Sequence, residues 1–288
     1  MTPLAPDPRL RAPHRPLPAG TVDCHAHIFD RFERYRFAPG RRYTPPLCAR
    51  EQWLALHAAL GVTRGVQVNG SPYGYDNSIT LDFLAEHPGR FVGVAMISPD
   101  IPEPELRRLD AAGFRAARLM DQFPSGATSA DLEAIARRIA PLGWHLEINV
   151  ARGSDLVELE PRLRRAPVPL VLDHMGRPRG SEGIDSPGFR VIRRLLVERD
   201  DCWTKISSFY RLSDAGPPHF DDMRPFVQTL LRERPDRCVW GTNWPHPGMH
   251  AYMPNDADLL DLLESWLPGD AVREPLFASN AARLYRLS

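Results

Sequence analysis

Two histidines two positions apart, His25 and His27, close the run Thr21-Val22-Asp23-Cys24-His25-Ala26-His27-Ile28. On a strand, residues at i and i+2 share a face, so both imidazoles point to one side. Such a pair can bind a divalent metal or polarise a carbonyl oxygen. A third histidine, His174, follows the apolar run Val168–Leu172 in Asp173-His174-Met175-Gly176-Arg177-Pro178. Polar Asn243 stands between Trp240 and Trp244 and is flanked by Pro245 and Pro247, with His246 three residues on. Arg118 ends one apolar run and Arg211 follows another, and a guanidinium fork suits a carboxylate. His145, Glu147 and Asn149 alternate and share one face. If that face is inward, Glu147 needs a partner and is a candidate base.

These residues need a scaffold that gathers strand ends. Eight short apolar or β-branched runs occur at 21–28, 65–69, 91–97, 114–119, 145–150, 168–174, 202–207 and 237–243. Amphipathic stretches of helical period lie between them: 50–60, 78–87, 103–112, 130–140, 155–164, 189–199 and 223–234, with 257–266 and 275–285 after the eighth run. Strands alternating with helices imply right-handed βαβ units and a parallel sheet. Eight units predict an α/β fold, a (β/α)8 TIM barrel, over residues 21–288. Proline-rich residues 1–20 predict an irregular arm. In such a barrel the active site sits at the C-terminal ends of the strands, where every residue above falls.

Composition bounds the partners. Among 288 residues, 36 basic and 36 acidic side chains cancel, which excludes a global basic field for nucleic acid. No apolar run reaches the ~20 residues of a membrane span, and the N-terminus has no secretory h-region. Four cysteines without a CxxC pair read as buried reduced thiols, so a cytoplasmic location is expected. Only one of the basic residues is a lysine, Lys205, so any lysine chemistry must use it. A homo-oligomer stays open.

The runs DCHAHIFD, VLDHMGRP and WGTNWPHP, in that order, resemble the amidohydrolase superfamily. More narrowly, they resemble the 2-pyrone-4,6-dicarboxylate lactonase branch of the amidohydrolase-related family, from about Thr21 to Tyr285. The resemblance implies a (β/α)8 barrel and hydrolysis of a lactone, a carboxylic ester, in aromatic catabolism. Many amidohydrolases hold one or two divalent metals, whereas this branch implies metal-free chemistry. There the imidazoles matching His25, His27 and His174 polarise the carbonyl, an eighth-strand aspartate deprotonates water, and Tyr43, Arg118 and Arg211 match carboxylate-binding positions.

The chain departs from that pattern. The aspartate is Asn243, which cannot accept a proton at neutral pH. Glu147, Asp121, His246 or His174 must then serve as base. An anion-binding arginine after Arg118 is missing and a fifth-strand tyrosine is Asn149, which predicts a less charged substrate. No lysine follows the fourth strand, and Lys205 is on the seventh, so a carbamate-bridged binuclear centre is excluded. The expected cofactor is none; the alternative is one Zn or Mn on His25, His27 and His174. Expected function is hydrolysis of a carboxylated lactone, with His246 and Asn149 also contacting substrate. The alternatives are a lactone isomerase, a metal-dependent nonoxidative decarboxylase, or a noncatalytic carboxylate-binding barrel.

Overall fold

The computed structural model of the protein describes residues 3–287. Eight parallel strands run in the order β1 to β8: β1 Val22–Ala26, β2 Arg64–Val68, β3 Phe91–Ala95, β4 Phe114–Met120, β5 His145–Asn149, β6 Leu170–Leu172, β7 Cys202–Ile206 and β8 Cys238–Trp240. Every expected strand is present. Backbone bonds from Asn243 N to His25 O (2.7 Å) and from His27 N to Trp244 O (2.8 Å) join the first strand to the chain leaving the last. The result is a TIM barrel.

Helices cover it: α1 Arg50–Leu60, α2 Ser78–Glu86, α3 Glu103–Ala111, α4 Leu132–Ile139, α5 Leu156–Arg165, α6 Pro187–Glu198, short α7 Phe209–Leu212, α8 Arg224–Glu233, α9 Asp256–Trp266 and α10 Asn280–Tyr285. α6 shows why they form. Phe189, Val191, Ile192, Leu195 and Leu196 make one apolar stripe that is buried. The expected helix 275–285 is instead a π-helical turn, Pro275–Ser279, leading into α10.

The barrel interior is lined low down by Val22, Cys24, Val66, Val94, Val171 and Val239, with Tyr285 inserted from α10. All four cysteines are free and buried. The N-terminal arm has no regular structure and lies along α9, where Arg11 bridges Asp258 (2.5 Å) and Asp261 (2.6 Å). No helix among the described residues is long and apolar enough to cross a membrane.

β1 carries an irregularity that decides where its histidines point. Its register with β2 runs Asp23 to Gly65 and then Ala26 to Gln67, one extra residue on β1. That bulge breaks the alternation. Asp23 faces α1, accepting bonds from Trp53 Nε1 and Thr242 Oγ1 at 3.2 and 2.7 Å. His25 and His27 turn into the barrel. β8 can approach the bulge because residue 241 is glycine: a Cβ there would lie 2.8 Å from His25 N and 2.9 Å from His25 Cβ. Gly241→Ala is therefore expected to destabilise the fold by about 1–3 kcal/mol, the usual cost of overpacking. A melting curve superimposable on the parent's would refute it.

Candidate active site

The sequence-derived site residues divide into a mouth, a buried ionic layer and a supporting chain. The mouth is a small cavity lined by His27, Tyr43, Ser71, Arg118, Met120, Gln122, Phe123, Asn149, His174, Arg211, Asn243 and Pro247. It lies at the C-terminal strand ends, as a barrel requires.

β1 supplies His25 and His27, whose Nε2 atoms are 3.2 Å apart. His27 Nδ1 lies 2.8 Å from Val68 O. A carbonyl oxygen only accepts, so this nitrogen carries the hydrogen and donates. The His174 ring centre is 4.7 Å from that of His25. His174 sits just past β6 in a left-handed conformation (φ 53°), and its Nδ1 is 2.8 Å from Ser207 Oγ. Burial pulls all three imidazoles down, so they are neutral near pH 7. His27 falls from 6.5 to about 3, through burial and then Arg118. His25 falls well below 6.5 through burial and Lys205. His174 falls well below it through burial, with Arg118 adding to the shift.

Beneath the histidines, Lys205 Nζ is fully enclosed. It lies 2.6 Å from Glu147 Oε1, 3.2 Å from Asp173 Oδ1 and 3.0 Å from His25 Nδ1. Glu147 also accepts from Tyr285 Oη at 2.8 Å. The inward orientation expected of Glu147 holds, but its carboxylate is bound below the histidines and does not line the cavity. It is therefore not placed to be a base. Asp173 accepts from Arg118 Nε at 3.0 Å. Burial alone would raise the Asp173 carboxyl, yet Lys205 and Arg118 hold it well below the usual range.

Behind the mouth, Asn243 Nδ2 donates to Tyr210 Oη at 2.9 Å, and Tyr210 Oη lies 2.7 Å from His246 Nδ1. His246 Nε2 is 3.2 Å from Asp256 Oδ1. His246 is fully buried in this chain and does not reach the cavity, which corrects its expected contact with substrate. Asp121, another candidate base, is engaged by Ser129 N at 2.8 Å.

The arginines converge. Arg118 is 2% exposed, and its second terminal nitrogen has no hydrogen-bond partner. Arg211 donates to Pro247 O at 2.5 Å and has no carboxylate partner among the described residues. Arg177, just past His174, was missed by the sequence reading. Burial and the nearby cations of Arg211 and Arg118 pull its guanidinium down to about 9. A third cation thus acts on the other two, although it does not line the cavity. Tyr43, pushed up to about 12 by burial, is a neutral hydroxyl at the rim. Also missed were Asp173, Ser207 and Tyr210, and Lys205 was weighed only as a metal bridge. Asp173 and Lys205 were visible as inward positions just past β6 and on β7, each two residues beyond an interior side chain.

Residues 22–287 match the Amidohydrolase family. The chain belongs to the amidohydrolase family. It is 37% identical to a 2-pyrone-4,6-dicarboxylate hydrolase of Comamonas testosteroni over 95% of this chain and 92% of that one. It is 32% identical to a 4-sulfomuconolactone hydrolase of Hydrogenophaga intermedia, covering 93% and 89%. Among solved structures, a probable 2-pyrone-4,6-dicarboxylic acid hydrolase of Acinetobacter baumannii, with citric acid bound, superposes with a TM-score of 0.81 at 25% identity, covering 93% and 99%. The branch expected from the three motifs is thus the one found.

The depressed histidines have a consequence for this amidohydrolase's stability. Each is neutral when folded and protonates near 6.5 when unfolded, so between those values the unfolded chain binds more protons. Stability therefore rises with pH across the window and levels off above it. The melting temperature is expected to fall as pH is lowered from 6.5 towards 3, the range spanned by His27. His27→Asn should flatten part of that fall. A melting temperature constant over the window would contradict the assignment.

Proposed function

We propose that the chain is a carboxylic-ester hydrolase that opens a carboxylated lactone by water attack, without a metal. The observation that carries the reading is a cavity with the neutral imidazoles of His27 and His174 on one side and, on the other, Arg211, which has no carboxylate partner among the described residues, and Arg118, whose Nη1 has no hydrogen-bond partner. A substrate carboxylate between them would pair Arg211 and take the Nη1 hydrogens that Arg118, bound to Asp173 through its other nitrogens, leaves free. The relatives' names support lactones as the substrate class.

In this mechanism the arginines and Tyr43 hold the carboxylate, and Asn149 borders the ring. The carbonyl oxygen faces the His25–His27 pair, and the one hydrogen between their Nε2 atoms, not the His27 Nδ1 hydrogen held by Val68 O, polarises it. Asn243 spends its amide hydrogen on Tyr210, which leaves its carbonyl oxygen to orient the attacking water. His174 takes the proton, because only its Nδ1 is engaged. The tetrahedral intermediate then expels the ring oxygen, and His174 returns the proton to it.

The residues present do not fit a divalent cation. His25, Asp173 and His174 lie close enough to hold one, with ligand atoms within 4.8 Å of one another. But Asp173 already faces two cations, Lys205 at 3.2 Å and Arg118 at 3.0 Å. A metal ion would add a third charge to a site that is balanced without it.

The test is a panel of carboxylated lactones with purified protein treated with a chelator. Ring opening is expected to persist after chelation, and loss of activity restored by zinc would overturn the metal-free reading. Arg211→Met leaves no carboxylate orphaned, so its effect reports substrate binding. It is expected to raise KM about 10- to 100-fold, the worth of a charged hydrogen bond. No turnover of any carboxylated lactone would reject the function.

A further inference from the structure

We infer that Lys205 fixes the tautomer of His25, and thereby makes the His25–His27 pair a hydrogen-bond donor site closed to divalent cations. The pair alone does not decide this. An Nε2-to-Nε2 separation of 3.2 Å suits one shared hydrogen. It also suits two imidazoles on one tetrahedral ion, whose ~2.0–2.1 Å bonds place nitrogens about 3.3 Å apart.

Lys205 breaks the tie. An ammonium has three hydrogens and no acceptor. Its hydrogen-bond partner is His25 Nδ1 at 3.0 Å, while the carboxylates of Glu147 (2.6 Å) and Asp173 (3.2 Å) face it as ion pairs. Asp173 Oδ1 stands farther from the same ring nitrogen, at 3.5 Å. Since an ammonium only donates, the shorter contact leaves His25 Nδ1 bare and puts the ring hydrogen on Nε2. At the far end, Val68 O takes the Nδ1 hydrogen of His27, leaving its Nε2 bare. The hydrogens run in one direction: Lys205 to His25, His25 to His27, His27 to Val68. Every donor in that line meets an acceptor.

A metal on both Nε2 atoms would require the His25 hydrogen on Nδ1. Two hydrogens would then face each other across the 3.0 Å gap to Lys205. The same arithmetic gives the two histidines different duties. His25 offers an N–H that an entering carbonyl oxygen can capture from His27, whereas His27 is the acceptor that holds that N–H in line. Lys205 is thus a positioning residue, acting through His25.

The inference is testable without a substrate, so it stands or falls separately from the lactonase reading. Nitrogen-15 histidine NMR of the chelator-treated protein reads the tautomer, with the His25 signals assigned by their loss in His25→Gln. A bare Nδ1 and a protonated Nε2 are expected; the reverse would overturn the inference. The second arm removes Lys205 without leaving a surplus buried charge: Lys205→Met with Glu147→Gln, where the glutamine oxygen can still accept from Tyr285. After dialysis against zinc, the double variant is expected to hold about one zinc per chain and the parent none. Equal zinc in the two proteins, whether none or one, would overturn the exclusion. Should the variant not fold, the NMR measurement on the parent still decides.

Discussion

An ammonium group sealed from water loses its hydration, and the loss is tolerable only if each of its hydrogens finds an acceptor. Lys205 is offset inside the barrel by groups on three strands: the carboxylate of Glu147 on β5, the carboxylate of Asp173 at the end of β6 and the imidazole of His25 on β1. Arg118 brings in β4 by its bond to Asp173. Two cations and two carboxylates thus form a neutral layer between the apolar floor and the cavity. Such a layer need not stabilise the fold more than packed hydrocarbon would. Its effect is to specify. Any displacement of these strands leaves an enclosed charge unmatched, so the histidines above have one arrangement.

Asn243 is held with similar care from the other side. Its backbone joins β1, its side-chain amide donates to Tyr210, and Tyr210 leads through His246 to Asp256 at the start of α9. A residue that cannot take a proton is therefore oriented by a chain of groups that can. The motif that placed His246 beside Asn243 in the sequence reads as a binding signal. In three dimensions it is support, because the left-handed turn at Asn243 carries His246 behind the strand rather than over the cavity.

Much of this was legible in the residues. Strand and helix periods place all eight units, and the strand-end rule brings His27, Arg118, Asn149, His174, Arg211 and Asn243 to one cavity. What escaped was whatever depends on pairing between strands. Alternation shows that His25 and His27 share a face but not which face, because a bulge shifts the parity after Asp23. Glu147 was seen to need a partner, and Lys205 was weighed only as a metal bridge. Their match becomes visible only when β5 and β7 are placed on either side of β6 in the barrel. Arg177 was hidden for a different reason. In a chain so rich in arginine, one more in a loop carries no signal until its neighbours are known.

The seam between the first and last strands has a kinetic meaning. The bonds that close the barrel, from Asn243 to His25 and from Trp244 to His27, are also those that assemble the site, and Thr242 meets Asp23 across 219 positions of chain. Contacts of such separation carry the largest loop-closure entropy and are made late in folding. A partly folded chain, however much of its sheet has formed, would have its histidines and Asn243 on opposite free edges. Catalytic competence would then be among the last properties acquired, and the first surrendered when the seam opens.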